Sequence, residues 1–134
     1  MIYLVHLSST KWNGLFSMST LDLFESMRRT PALLADFLAE IGTDALSLRL
    51  KPEGWTICEH AVHLMDVQPM LRGRLNQFIE EENPVLKPYL PDDAELAKKT
   101  AETNLADELE RFARERNEFV DRLEEMSGEI LRKE

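Results

Sequence analysis

Glu59, His63 and Asp66 are the side chains of this sequence best placed to act together. On a helix turning about 100° per residue they fall on one narrow arc. Imidazole and carboxylate are both metal-ligating groups, so His63 with Glu59 or Asp66 in support is the candidate metal-binding set. A metal centre needs three or four convergent donors, and this arc supplies two at most. His60 lies about 100° from Glu59, and His6 would have to fold back from the far N-terminus. Glu115, Glu118 and Asp121 carry further carboxylates, but no spacing singles them out. The arc is therefore either the wall of a site or a solvated strip. Cys58, the one cysteine, reads first as a small core residue and second as a reactive thiol. No glycine-rich phosphate loop, Cys-x-x-Cys, His-Glu-x-x-His or nucleophile elbow is present.

These residues need a helix to hold them. Thr56 followed by Glu59 is a capping-box pattern, so a helix is expected over residues 56–81. Ile57, Ala61, Leu64, Gln68, Leu71, Leu75 and Phe78 repeat at alternating four- and three-residue steps, the seam of a bundle helix. Cys58, Val62, Met65, Val67 and Met70 make its other faces apolar, which predicts a central helix with more than one neighbour. A first helix is expected over residues 20–41, with Leu23, Met27, Leu34, Phe37 or Leu38, and Ile41 as its stripe. Pro31 predicts a kink or break in it, and Gly42 its C′ stop. Leu46, Leu48 and Leu50 are expected to cover one end of the bundle. Residues 83–104 read as a proline-rich crossover with a short helix capped near Asp92 and ending about Lys99. Asn104 is the expected cap of a last helix over residues 105–131, with Leu105, Leu109, Phe112, Arg116, Phe119, Leu123, Met126 and Ile130 as its seam. Arg116 is the polar break in that seam, and the plain expectation is a packed stem with its head in water or on a carboxylate.

The chain has 134 residues, 43% of them hydrophobic, enough for one core without a disulfide or structural metal. Its net charge of -9 repels phosphate backbones and anionic lipid, so neither nucleic acid nor membrane is an expected partner. No apolar run reaches the ~20 residues of a bilayer span. Residues 1–17 do not share the helical pattern and lack the form of a signal peptide, and Met18 precedes the first helix. The expected division is an N-terminal extension, 1–17, and a helical domain, 18–134. A lone cysteine fits a cytoplasmic protein.

The run Pro52-Glu53-Gly54-Trp55-Thr56-Ile57-Cys58-Glu59-His60-Ala61-Val62-His63-Leu64-Met65-Asp66 resembles the DinB/YfiT-like superfamily, as do the Thr30-Pro31 step, the Asn83-Pro84 to Asp93 crossover and the Phe112 to Leu123 helix with Arg116. The resemblance covers about residues 18–131. It implies an all-α, up-down-down-up four-helix bundle. It also implies a divalent metal of the nickel, zinc or iron class, held by three histidines, one on the second helix and two on the last. Characterised members include thiol-dependent transferases and isomerases. His63 matches the ligand position on the second helix, and Glu59 the acidic residue of the motif. No histidine follows His63, so this chain resembles a shortened member with three long helices, the fourth missing or supplied by another chain, or the product of a truncated longer gene. Two functions are expected from it. The first is an oligomeric bundle or interaction protein with an incomplete metal site. The alternative is a divalent-metal-dependent enzyme of the thiol S-transferase or isomerase type. Three helices shaped for a four-helix bundle leave an apolar groove, to be covered by a second copy in a homo-oligomer or by residues 1–17.

Overall fold

Local rules place the helix starts in the computed structural model, which describes residues 19–131. Ser19 caps α1 (Thr20–Ala39) with a full capping box to Asp22, and Thr56 caps α3 (Ile57–Glu80) with another to Glu59. Asp92 caps α4 (Asp93–Glu102), accepting from the Glu95 amide at 2.9 Å. Asn104 Oδ1 accepts from the amides of Ala106 and Asp107 at the start of α5 (Leu105–Leu131). A four-residue helix, α2 (Thr43–Leu46), fills the first connection. All regular structure among the described residues is helical, and none of these helices is long and apolar enough to cross a membrane.

Several local expectations are corrected. α1 runs helically through Pro31, whose ring is buried in the bundle rather than left at a break. Burial of the ring offsets the lost amide bond; α3 also continues through a proline, Pro69, which is exposed. Gly42 is not a left-handed stop. The C-cap of α1 is Glu40, and Gly42 has φ -62° as the N-cap of α2. Leu48 and Leu50 do not cover the bundle end; Leu50 is 84% exposed. α4 extends three residues beyond the expected Lys99. The division at residue 17 lies outside the described residues.

The core joins three helices. Val62 and Met65 of α3, Leu96 of α4 and Phe112 of α5 form one buried cluster, with Trp55, Leu34, Leu105 and Leu109 packed around it. α5 also packs along α1, where Arg28 donates to the Asn117 carbonyl at 3.4 Å and pairs with Asp121 and Glu124 at 2.6 and 3.0 Å. The start of α5 thus lies beside the start of α3, and its end beside the start of α1. α3 and α5 run parallel, and α1 antiparallel to both.

α5 therefore occupies a corner between α1 and α3, which make little contact with each other. Among the described residues the corner opposite α5 is open. Its rim is a groove of about 130 Å³ lined by Leu34, Phe37 and Leu38 of α1 and by Ile57, His60, Ala61 and Leu64 of α3.

Candidate functional site

The three residues of the Glu59 arc point away from the open corner, and the fold assigns each to different company. Glu59 is 4% exposed. Its Oε2 accepts from the Thr56 amide at 2.7 Å and its Oε1 from Arg49 Nη2 at 2.6 Å. Arg49 also donates to the Gly54 carbonyl, which clamps the turn ahead of α3. Burial pushes the Glu59 carboxyl up, but these hydrogen bonds outweigh it and hold the group below the usual carboxylate range. Both of its oxygens are thereby engaged in starting the helix.

Asp66 faces α4 and α5. It pairs with Lys99, and Arg111 lies 3.9 Å from the same oxygen. Arg111 in turn bridges Glu108 and Glu115, the latter at 3.0 Å to each oxygen. The hydrogen bond to Glu108, against the cost of burial, holds the Arg111 guanidinium more firmly protonated than usual, and Glu108 correspondingly lies below its usual value. Asp66 is thus neutralised by two cations, an arrangement that competes with a metal ion for its lone pairs.

His63 lies in a stack of rings. The Trp55 ring meets it edge-on at 4.9 Å between centroids, and Tyr89 of the crossover stacks against it at 5.7 Å and 17°. Trp55 is itself held by a 2.8 Å hydrogen bond from Nε1 to Asp93. His63 and Asp66 share a cavity of about 250 Å³ whose far wall is Asp92, Glu95 and Lys99. Sequence spacing correctly placed Asp66 beside His63, while Glu59 does not reach that cavity. Among the described residues no three His, Cys, Asp or Glu side chains converge on one point. The described residues complete no divalent-metal site: Glu59 and Asp66 are engaged elsewhere, and of the carboxylates across the cavity from His63, Asp92 caps α4 and Glu95 is a single further donor. His60 also packs on Trp55, at 5.1 Å between ring centroids, and His6 lies outside the described residues. Glu115 is taken by Arg111, and Asp121 by Arg28. Cys58 is half-buried, and burial followed by the Glu59 charge pushes its thiol up, which weakens it as a nucleophile.

Sequence reasoning missed Arg49, Lys99, Arg111 and Tyr89. Only Tyr89 carried a signal, as an aromatic residue in the proline-rich crossover. The three cations pair across 10 to 45 residues of sequence, where no local periodicity points.

The other polar feature lies at the bundle axis. Arg116 is 7% exposed and meets no carboxylate among the described residues; its Nε donates to Gln68 Oε1 at 2.5 Å, and its guanidinium lies over the Phe112 ring at 4.9 Å. Burial lowers its affinity for a proton. Gln68 is 1% exposed, and its Nε2 has no hydrogen-bond partner among the described residues. On α5, Arg116 lies between the arc that faces α3 (Phe112) and the arc that faces α1 (Asn117 and Asp121). That azimuth directs it along the diagonal toward the open corner. Gln68 shares the α3 face of Ala61 and Leu64, the groove-lining residues two turns and one turn earlier.

A family model described as the DinB superfamily matches residues 26–133. A protein of Oceanobacillus iheyensis named "Putative metal-dependent hydrolase OB0782" is 36% identical over 59 residues, which cover 44% of this chain and 34% of that protein. The match thus spans about a third of the length of that curated relative. No solved structure matches.

Proposed function

The chain belongs to the DinB superfamily, and on that premise we propose that it is a bundle protein that works by association, its open corner covered by a second copy of itself. The observation that carries this reading is the unfilled corner. Phe37 and Leu23 on α1 are 58% and 42% exposed, and Phe78 and Leu64 on α3 are 58% and 39% exposed. All four fall on the arcs that border the corner by helical register. A contiguous apolar strip of this kind drives association in water. Beneath it, the Gln68 amide nitrogen lacks an acceptor among the described residues, a costly state that a covering chain relieves by supplying carbonyl or carboxylate oxygen. A sequence with 25 acidic residues is well stocked with such groups.

Sedimentation velocity tests this directly. The wild-type protein is expected to sediment as an oligomer at micromolar concentration. Phe37→Glu combined with Leu64→Glu is expected to sediment as a monomer with unchanged helical circular dichroism, because an unpaired carboxylate buried in an apolar interface costs a few kcal/mol. A wild-type monomer at all concentrations would sink the reading.

The second reading is a divalent-metal-dependent enzyme of the thiol transferase or isomerase type, favoured by the ligand-like place of His63 in the motif and by the name of the Oceanobacillus relative. A bound metal would there stabilise a thiolate. His63, held rigid between Trp55 and Tyr89, would be the chain's own contribution. Elemental analysis of untagged protein separates the readings. Association alone predicts substoichiometric nickel, zinc and iron, unchanged in His63→Ala. A stoichiometric ion lost in His63→Ala would put the enzyme first.

A further inference from the structure

A second cavity, of about 440 Å³, lies between the later half of α3 and the crossover, apart from the open corner. We propose that it is a binding site for a small organic anion, a carboxylate or phosphate carried on an apolar body about the size of an aromatic ring. Its volume falls in the range of about 300–1,000 Å³ that small-molecule sites occupy. Three independent features of its lining point to this ligand class.

The first is charge. Arg74 and Lys87 both line the cleft, and neither has a carboxylate within 4.0 Å among the described residues. Acidic residues outnumber basic ones 25 to 16, and Arg28, Arg49, Lys99, Arg111 and Arg122 are all paired. Arg74 and Lys87 are among the described cations that no carboxylate holds, and both line one concavity. Arg74 Nη2 donates to the Lys87 carbonyl at 2.9 Å, which orients the guanidinium and ties the two walls together. Its remaining N–H groups and the Lys87 ammonium are left for an anion.

The second is the apolar wall. Met70, Val85 and Tyr89 line the same cleft, and Val85 is 75% exposed. Tyr89 is 43% exposed, yet its ring is backed by His63, so its orientation is set before a ligand arrives.

The third is Gly73. A glycine inside a helix costs stability relative to alanine. A Cβ built on Gly73 meets nothing within 4 Å, so no packing among the described residues demands glycine there. The residue lines the cleft, and a ligand that needs the volume is a physical reason for it.

Titration calorimetry on the full chain tests the site, with 1-naphthaleneacetate and 1-naphthyl phosphate as probes and the neutral 2-(1-naphthyl)ethanol as control. Both anions are expected to bind, and the alcohol about tenfold or more weaker. Whichever anion binds tighter identifies the headgroup. Arg74→Gln and Lys87→Gln should each weaken the anions about tenfold, and Gly73→Leu should abolish binding while the helical circular dichroism is kept. Phe37→Glu, at the other cavity, should leave binding intact. The proposal is overturned if the alcohol binds as well as the anions, if neither charge removal weakens them, or if no anion binds at millimolar concentration.

Discussion

Glu59→Ala is expected to lower the unfolding free energy by about 3 kcal/mol and the melting temperature by roughly 10 °C. The substitution removes a capping box, worth about 1 kcal/mol, and the buried half of an ion pair. It also strands the Thr56 amide and frees Arg49 from the turn it clamps. Glu59→Gln keeps an acceptor for the amide and should lose only about 1–2 kcal/mol. Urea denaturation measures both. The carboxyl's folded value is depressed, so its contribution is present above the unfolded value and is lost as pH falls through the folded one. The stability gap between wild type and Glu59→Gln should therefore narrow below the ordinary carboxylate range. A variant as stable as wild type, with altered metal content instead, would return Glu59 to the role of ligand.

Phe112→Ala is the more damaging change, at about 3–5 kcal/mol. Phe112 is fully buried where α3, α4 and α5 meet, and truncation leaves a cavity against Val62, Met65 and Leu96. The same ring supports the Arg116 guanidinium, so its loss also removes the apolar platform under a buried charge. Against a total stability of about 5–15 kcal/mol, this approaches the whole margin of a small domain. A shallow, non-cooperative thermal transition by circular dichroism is the expected signature. Phe112→Leu should retain a cooperative transition. Equal melting of Phe112→Ala and wild type would mean that the three-helix junction is not where the stability resides.

What could be read in the sequence was what neighbours in sequence decide. Thr56 and Glu59, Asp92, and Asn104 announced their helix starts because a cap satisfies amides two or three residues away. The alternating seams of α3 and α5 announced a bundle because helical period maps apolar spacing onto one face. The family motif marked the hub helix for the same local reason.

The tertiary structure decided which partner each polar side chain met. Glu59 carried two readings, cap and ligand, and one carboxylate has only two oxygens; Arg49, ten residues upstream, took the one the cap left over. Asp66 lost its freedom to Lys99 and Arg111, which reach it only because α4 and α5 pack against that face of α3. The polar residues of two separate seams, Gln68 and Arg116, became a pair because α3 and α5 run parallel in matching register. The spacing of His63 placed it on a ligand-bearing arc, but its neighbours are rings, since the crossover brings Tyr89 against it. Hydrogen bonds and ion pairs are short-ranged, so they follow the azimuth and route of the packed chain. Helical periodicity names the faces, and packing alone determines what each face meets.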